Sequence, residues 1–330
     1  MVSGICLALA TFCPILSASG APKPSAPDPK VMQVQVLLDR LGFTPGVIDG
    51  RQGRGLTLAL KGFQTARDVP VTGKPDDATL KLLQAYATTP AVIEVALTPD
   101  DLAGPFVGAI PRDSAAQAKL PAMGYANAME ALSERFHTTG ATLIALNSPD
   151  TKLAAGVKIK VPNVRPAVSA YADTLKPEWR ATLAQLSVSS DQPKAARIVV
   201  DKSDGVLRVY DEGDKLVAQF PATMGSSHDP LPIGKWKIQG TSYLPPFHYN
   251  PKLFWDAKST DTRQLLKPGP NGPVGVVWMD LDKAHYGIHG TPTPETIGRT
   301  ESHGCIRLTN WDAARLSLMV KPGTPAVFQP

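Results

Sequence analysis

The stretch HGTPTPETIGRTESHGC, at positions 289 to 305, brings two histidines and a cysteine into one short segment. A cysteine thiol becomes a nucleophile when a neighbouring base removes its proton. Glycines beside such a thiol let backbone N–H groups converge on one point, as the stabilisation of an oxyanion requires. One interpretation of these residue types is nucleophilic catalysis, with Cys305 as the nucleophile, His289 as its base, and Gly290 and Gly304 allowing close backbone approach.

Sixteen positions separate His289 from Cys305, so a chain reversal has to bring them together. Residues 286–289, YGIH, read as the end of a strand, and the loop 290–301 can return the chain beside it. Cys305 and Arg307 are two positions apart in a short predicted strand and therefore share a face. Arg307 could bind a substrate carboxylate through two N–H groups, or it could hold the loop in place.

Two other interpretations are open for the same stretch. His289, His303 and Cys305 could hold a zinc ion, although the chain has no CxxC or HExxH motif and such a chelate across a short strand is unusual. The segment could also be a set of turns around a buried thiol, since an unreactive buried cysteine is common. Against that structural interpretation, GIHGT and SHGCIRL place many titratable groups in a core position without charged partners.

Length and composition predict several domains. With 330 residues, of which 43% are hydrophobic, the chain is long enough for two or three domains with packed cores. Its formal net charge is +5, and its lysines and arginines are scattered rather than clustered. That pattern argues against a nucleic-acid partner, whereas a mildly basic surface suits an anionic polymer.

The uncharged segment at residues 1–20 reads as a secretory signal peptide, followed by a proline-rich linker at 21–29. Its apolar run is shorter than the roughly 20 residues that span a bilayer, and no other apolar run is long enough for a transmembrane segment. Cys6 and Cys13 lie in this segment. Its removal would leave Cys305 as the only cysteine and would exclude a disulfide within the chain.

Residues 30–86 predict a small three-helix bundle. The periodicity of VMQVQVLLDRLG, LTLALKGFQTARD and PDDATLKLLQAYA gives three short helices around one core. Gly42 ends the first helix, and Asp76 or Asp77 caps the third.

Residues 87–122 predict one strand followed by a linker, and residues 123–164 predict a central α+β module. In that module, helices at about 126–136 and 140–146 lead to a short strand, Val157 to Val161.

Residues 196–330 predict a mostly β sandwich or barrel with one helix, reached through a linker at 165–195 that contains a short helix. Asp204-Gly205, between runs of β-branched residues, predicts a hairpin, and a second turn follows at 212–214. A helix from Trp311 to Val320, capped by Asn310, and a final strand, PAVF, complete the domain.

PIGKWKI and GVVWMDL predict two further strands. Between them, residues 241–273 form a long irregular insertion with six prolines and several aromatic residues. Long irregular insertions in compact domains are usually functional, so this segment is the candidate lid of the site.

Residues 268–310 resemble the active-site signature of the L,D-transpeptidases, the cysteine enzymes of bacterial cell-wall crosslinking. IHGTPTPETIGRTESHGCIRLTN carries the resemblance without a gap, and the hairpins from residue 196 onward fit more loosely. The resemblance implies that Cys305 is the nucleophile, that His289 is its general base and that the carbonyl of Gly290 orients the imidazole. It implies supporting, oxyanion or substrate-binding roles for five further residues: Tyr286, Ser302, His303, Gly304 and Arg307.

The reaction that this resemblance implies is a ping-pong acyl transfer without cofactor or metal. The thiolate attacks the carbonyl of the third residue of a peptidoglycan stem tetrapeptide, typically meso-diaminopimelate, and D-Ala leaves. An amine then attacks the thioester: the side chain of a neighbouring stem, which makes a 3→3 crosslink, a lysine of an outer-membrane lipoprotein, or a free D-amino acid. Attack by water would make the protein an L,D-carboxypeptidase, and a decayed site would leave a cell-wall binding or scaffold protein.

The two front segments resemble cell-wall binding domains. Residues 30–86 are similar to the peptidoglycan-binding domain of cell-wall hydrolases, with a departure at Gln52-Gly53, through the following residues: Leu41, Gly42, Phe43, Gly46, Asp49, Gly50, Phe63, Gln64, Thr72, Gly73 and Thr79. Residues 123–164 resemble a divergent lysin-motif module, which binds glycans containing N-acetylglucosamine, through Leu132, Phe136, Leu143, Leu146, Asn147, Gly156 and Pro162. These resemblances imply glycan strands and stem peptides as partners, a location in the periplasm or cell wall after secretion across the inner membrane, and tethers that raise the local enzyme concentration.

Overall fold

A computed structural model describes residues 26–164 and 171–330. The predicted signal peptide at 1–20, most of the proline-rich linker and the first part of the 165–195 segment lie outside the described residues. In the described ranges, no helix is both long and apolar enough to cross a membrane.

The amino-terminal unit is a bundle of three helices, as the sequence predicts. They are α1 (Pro29–Arg40), α2 (Arg54–Ala66) and α3 (Asp77–Gln84). Asp28 and Asp76 cap α1 and α3, because their carboxylates accept hydrogen bonds from N–H groups of the first turn. The apolar faces share one core: Val31, Val34, Leu37, Leu38, Phe43, Leu56, Ala59, Leu60, Phe63, Ala66 and Leu83, joined by Leu216 of the carboxyl-terminal domain.

The central unit, residues 92–164, combines a two-stranded sheet with short helices. Its elements are β1 (Val92–Ala96), α4 (Pro99–Leu102), α5 (Ser114–Gln117), α6 (Ala128–Arg135), α7 (Gly140–Leu146) and β2 (Lys158–Pro162). Strands β1 and β2 pair antiparallel, with Val92 opposite Pro162. The strand predicted in residues 87–122 is thus β1, which pairs with the strand predicted for the central module, and α4 and α5 had no counterpart among the predicted elements. Pairing across so long a connection leaves no local signal in either strand.

Helix α8 (Pro177–Gln185) leads into the carboxyl-terminal domain and buries Trp179 and Leu183 in its core. The elements of the domain are β3 (Arg197–Asp201), β4 (Val206–Tyr210), β5 (Leu216–Pro221), β6 (Thr223–Met224), β7 (Gly234–Tyr243), β8 (Phe247–Tyr249), β9 (Gln264–Leu266), β10 (Val277–Leu281), β11 (Gly287–His289), β12 (Ile306–Arg307), α9 (Asn310–Met319) and β13 (Pro325–Gln329).

Nine strands of this domain form one sheet, in the order β5-β4-β3-β13-β7-β10-β11-β12-β6. The predicted turns join β3 to β4 and β4 to β5, and Gly205 and Asp214 adopt positive φ angles of 69° and 60° in them. The predicted mostly β domain with a helix is confirmed.

Two predictions about this domain were wrong in detail. The N-cap of helix α9 is Thr309, whose hydroxyl accepts a hydrogen bond from the N–H of Asp312 at 3.1 Å. Asn310, the predicted cap, is the first helical residue, and its side chain does not cap the helix. The 241–273 insertion is less irregular than predicted, because β7 extends to Tyr243 and β8 pairs antiparallel with β9. The segment between these two short strands is an irregular loop with one 3₁₀ turn, and residues 267–273 after β9 are also irregular.

Candidate active site

The predicted base lies at the end of one strand, and the predicted nucleophile directly precedes the neighbouring strand. Strands β11 and β12 pair in parallel, with Ile288 opposite Ile306 and His289 opposite Arg307. Cys305 directly precedes β12, so the intervening loop returns the chain beside the strand that carries His289. A separation of sixteen residues in sequence thereby becomes adjacency in the sheet.

The imidazole of His289 is buried, with 4% of the residue exposed. Its Nδ1 lies 2.7 Å from the carbonyl oxygen of Gly290, which can only accept a hydrogen bond. Nδ1 therefore carries the proton, and Nε2 of the neutral ring is unprotonated. Trp278 stacks on the ring at a centroid distance of 5.4 Å and holds its plane.

Burial lowers the pKa of His289 to about 3. The positive charge of Arg307 acts in the same direction, whereas the hydrogen bond to Gly290 opposes it. The imidazole is therefore neutral at physiological pH and able to accept a proton.

The thiol of Cys305 is partly exposed, and its Sγ lies 3.7 Å from the carbonyl oxygen of His285. Burial raises the pKa of the thiol, while a backbone hydrogen bond from Gly287 and the charge of Arg307 oppose that effect. The resting pair is thus a neutral thiol beside a neutral imidazole, rather than a thiolate beside an imidazolium.

Ser302 fixes the turn that precedes the cysteine. Its hydroxyl donates to the carbonyl oxygen of Cys305 at 2.6 Å and accepts from the N–H of Gly225 at 2.7 Å. The N–H of Ser302 in turn donates to the carbonyl of Gly225 at 3.1 Å. The serine is buried and therefore acts on the backbone of the site.

Gly304 and Tyr286 pack directly against each other. Gly304 has a φ of +92°, and a Cβ built on it would lie 2.7 Å from the ring of Tyr286. Only glycine satisfies both the backbone angle and the close approach. The tyrosine therefore forms one wall of the turn that carries Cys305.

His303 faces the insertion. Its Nε2 lies 2.9 Å from Oδ1 of Asp256, and its ring contacts Phe254 at a centroid distance of 5.0 Å and Trp255 at 5.9 Å. Trp255 also stacks on His228, at 4.3 Å between centroids. The insertion thus contacts the signature segment next to the nucleophile.

Sequence reasoning missed Asp256. The aromatic residues of the insertion were a usable signal for a lid, but no pattern connects Asp256 with His303, because 47 positions separate the two. Only the folded chain brings this carboxylate to the signature segment.

Arg307 supports the loop through one of its N–H groups. Its Nη1 donates to the carbonyl oxygen of Glu301 at 3.3 Å. Its charge also helps to keep His289 neutral. Both observations favour a structural and electrostatic contribution, and a contact with a substrate carboxylate remains a proposal.

The three side chains considered for zinc binding are not gathered into a ligand set. Within the described ranges, no group of three histidine, cysteine, aspartate or glutamate side chains is arranged to hold a metal ion. His303 is engaged by Asp256 instead.

Two segments of the chain match models of known domain families. Residues 195–328 match the model of the L,D-transpeptidase catalytic domain, and residues 27–83 match that of a domain described as "Putative peptidoglycan binding domain". The carboxyl-terminal segment is thus similar to the first of these domain families and the amino-terminal unit to the second.

The chain is similar to several curated proteins over its carboxyl-terminal part. It is 34% identical over 134 residues to "Putative L,D-transpeptidase YkuD" of Bacillus licheniformis, which covers 41% of this chain and 66% of that protein. It is 29% identical over 135 residues to "Probable L,D-transpeptidase YbiS" of Escherichia coli K12, which covers 40% of this chain and 44% of that protein. The chain thus spans about half to two thirds of the length of these relatives.

Among solved structures, an L,D-transpeptidase from Mycobacterium smegmatis aligns with 20% identity and a TM-score of 0.33. That alignment covers 40% of this chain and 58% of the other.

Proposed function

We propose that this protein is an L,D-transpeptidase that acts on peptidoglycan, with Cys305 as nucleophile and His289 as general base. The observation that carries the proposal is the His289 imidazole, which is buried, oriented by the Gly290 carbonyl and unprotonated at Nε2 on the strand beside Cys305. The family match of residues 195–328 supports the same class of reaction.

The first step forms a thioester. The sulfur of Cys305 attacks the carbonyl carbon of the third residue of a stem tetrapeptide, while the thiol proton moves to Nε2 of His289. Backbone N–H groups of the segment 303–305 hold the oxyanion. The C–N bond to D-Ala then breaks, the departing amine takes the proton from His289, and free D-Ala leaves.

The second step transfers the acyl group to an amine. The amine nitrogen attacks the thioester carbonyl, His289 accepts its proton, and the departing sulfur takes that proton back to restore the thiol. The side chain of a neighbouring stem gives a 3→3 crosslink, and a lysine of an outer-membrane lipoprotein or a free D-amino acid would react in the same way. With water as the acceptor the product is a tripeptide.

The protonation states of the two groups support proton transfer that accompanies attack. Burial raises the pKa of the Cys305 thiol and lowers that of the His289 imidazole. A charge-separated pair is therefore unfavourable before substrate binds, and the transfer becomes favourable only as the S–C bond forms. A resting thiol of this kind is also less exposed to oxidation than a thiolate.

The segment between β8 and β9 is the proposed lid over this site. Phe254, Trp255 and Asp256 all contact His303, two residues before the nucleophile. A lid at this place would exclude water while the thioester exists and so favour amine acceptors.

The amino-terminal unit supports a location at the cell wall. Its family match describes a domain that binds peptidoglycan, the polymer on which the proposed reaction takes place. We extend the proposal to the central unit as a lysin-motif-like glycan-binding module. Glycan strands and stem peptides are therefore the expected partners, in the periplasm or cell wall.

Mass spectrometry tests the proposed function. The purified protein and its Cys305→Ala variant are incubated with a disaccharide-tetrapeptide, and protein adducts and released D-Ala are measured. We expect a thioester adduct at Cys305 and D-Ala release from the unchanged protein, and neither from the variant. His289→Asn should slow adduct formation by about a hundredfold, because it removes the general base.

The acyl acceptor follows from the second product. A crosslinked dimer identifies an amine acceptor, whereas a tripeptide identifies hydrolysis. A folded protein that gives neither adduct nor D-Ala would contradict the proposal and favour a non-catalytic cell-wall binding protein.

A further inference from the structure

Asn310 is a fully buried amide that links three parts of the molecule. Its Oδ1 accepts from the N–H of Val276 at 3.2 Å. Its Nδ2 donates to Oε1 of Glu134 at 2.7 Å and to the carbonyl oxygen of Pro270 at 3.1 Å. Because Thr309 already caps α9, the Asn310 side chain is free to serve this junction.

The amide of Asn310 lies directly against the residue that orients the catalytic histidine. A Cβ built on Gly290 would lie 2.1 Å from Oδ1 of Asn310, and one built on Gly275 would lie 2.0 Å from it. Both glycines therefore allow an approach that any other residue would prevent. The backbone of Gly290 therefore packs against the Asn310 amide, and the carbonyl of the same residue binds Nδ1 of His289.

Glu134 reaches this junction from the central unit. It lies on α6, only 5% of the residue is exposed, and its second oxygen accepts from the hydroxyl of Tyr125 at 2.7 Å. When ionised, Glu134 only accepts hydrogen bonds, so together with the Pro270 carbonyl it favours the Asn310 orientation that turns Nδ2 toward both oxygens and Oδ1 toward Val276 and Gly290.

A carboxyl group at this place is unfavourable by itself. Burial raises the pKa of Glu134 to about 7, against the opposite effect of the hydrogen bonds from Tyr125 and Asn310. An apolar side chain of similar size would avoid the cost of desolvation. The hydrogen bond to Asn310 gives a physical reason for a carboxyl group, rather than an apolar side chain, at position 134.

We propose that Glu134 is a positioning residue for His289, acting through the Asn310 amide and the Gly290 backbone. The central unit then completes the catalytic centre, beyond any binding of glycan. The inference rests on the proposed function only in treating His289 as the base of Cys305. The contacts that carry it are independent of the substrate.

The orientation of His289 is the property to measure. Long-range ¹H–¹⁵N spectra of the imidazole report its tautomer, and the rate of Cys305 alkylation by iodoacetamide reports proton removal by Nε2. In Glu134→Leu we expect loss of the single Nδ1–H tautomer and alkylation about tenfold slower, since small misplacements of a catalytic group reduce rates by such factors. Glu134→Gln keeps an acceptor for Asn310 and should stay within about twofold of the unchanged protein.

Glu130→Leu is the matched control. Glu130 lies one turn earlier on α6 and also reaches the carboxyl-terminal domain, through Nδ2 of Asn271 at 3.2 Å, but does not contact Asn310. We expect the tautomer and alkylation rate of this variant to match those of the unchanged protein. An equal effect of both leucine variants would mean general loosening of the interface and would overturn the proposal.

Unchanged tautomer and alkylation in a folded Glu134→Leu protein would also overturn it. If that variant does not fold, Asn310→Ala interrupts the same chain of contacts and should show the same two changes, and their absence would be decisive. Both readouts work without peptidoglycan. A protein that shows them but releases no D-Ala from tetrapeptide would contradict the proposed function and leave the role of Glu134 intact.

Discussion

At the scale of single residues, the candidate site is set by burial more than by charge. His289 has lost its water and has only a carbonyl oxygen as its hydrogen-bond partner at Nδ1. The Arg307 charge adds to the cost of protonating it. The same burial keeps the Cys305 thiol protonated, so neither partner carries charge before substrate arrives.

The pH dependence of Cys305 alkylation follows from this state. The pKa of the thiol is raised above its ordinary value of 9.0, so thiolate is a small fraction of the protein at neutral pH. We expect an alkylation rate that is nearly constant from pH 5 to pH 8, where neutral His289 takes the thiol proton, and that rises toward pH 10 as thiolate accumulates. The measurement is the second-order rate with iodoacetamide as a function of pH.

An inflection with an apparent pKa between 5 and 7 would contradict this prediction, because it would reveal a thiolate–imidazolium pair. His289 should produce no inflection above pH 5, since burial lowers its pKa to about 3. The His289→Asn variant is the control, and it should lower the rate without moving the inflection of the thiol.

At the scale of secondary-structure elements, the insertion has a base of paired strands and an exposed far end. Strands β8 and β9 give it a paired base, with Phe247 opposite Leu266. Its far end leaves Trp255 56% exposed while the ring still stacks on His228. Such a segment can rest on the signature loop and still open, because few buried contacts hold it.

Removal of two of the three contacts between the insertion and His303 should change the ratio of products. In a protein with Trp255→Ala and Asp256→Ala, we expect the ratio of tripeptide to crosslinked product to rise about threefold. The loss of about one aromatic contact should make the closed position of the insertion less stable by a free energy that corresponds to such a factor. The products are separated by chromatography after reaction with disaccharide-tetrapeptide.

Leu253→Ala is the control for this experiment. Leu253 lies in the same loop and is similarly exposed, at 51%, but it does not stack on His228 or His303 as Trp255 does. An unchanged product ratio in the double variant, or an equal change in the control, would contradict the role of the insertion as a lid.

At the scale of the whole molecule, the units are packed together. In the amino-terminal unit, Gly42 and Thr44 exchange backbone hydrogen bonds with Gln219 of β5. Asp39 of α1 accepts two hydrogen bonds from Arg315 of α9, at 3.1 and 2.8 Å, and contacts Nδ1 of His137 at 3.1 Å. The predicted tethers are therefore also structural partners of the proposed catalytic domain.

His137 reaches this ion pair from the end of α6. The N–H groups of residues 137 and 138 donate to the carbonyls of Glu134 and Ser133, so α6 ends in a Schellman motif. His137 takes the left-handed position of that motif, with a φ of +51°, where glycine is the usual residue. Its ring stacks on Trp311 at 4.9 Å and 8°. One buried cluster therefore joins the amino-terminal unit, the central unit and the carboxyl-terminal domain.

Asp39→Ala should destabilise all three units together. The change would remove the carboxylate that binds both the buried Arg315 guanidinium and the His137 ring, and would leave Asp312, at 3.5 Å, as the remaining partner of Arg315. Breaking a buried ion pair costs about 3 kcal/mol or more. The measurement is urea unfolding followed by circular dichroism and by tryptophan fluorescence. We expect the free energy of unfolding to fall with both probes.

Asp173→Ala provides the comparison. It removes an ion pair between Arg180 and a fully exposed carboxylate, so its unfolding curve should coincide with that of the unchanged protein. Equal stability of the Asp39 variant would mean that the cluster contributes nothing to the packing of the units.

Local signals in the sequence were sufficient for much of the fold. The three amino-terminal helices follow from apolar periodicity and aspartate caps, and the β3–β4 hairpin follows from Asp204-Gly205. These features were predictable because each depends on residues within a few positions of one another. The candidate nucleophile and base could be named for a similar reason, since both lie in one short, distinctive segment.

The sequence by itself therefore determined the local elements and the types of reacting groups. Only the tertiary structure decided what surrounds them. Glu134 and Asn310 are 176 positions apart, and Asp39 and Arg315 are 276 apart. Contacts over such separations depend on how whole units pack, and a buried carboxylate next to a distant amide leaves no periodicity in either segment. The same packing removes water from His289, and this desolvation, which the residue types alone do not encode, keeps the base neutral.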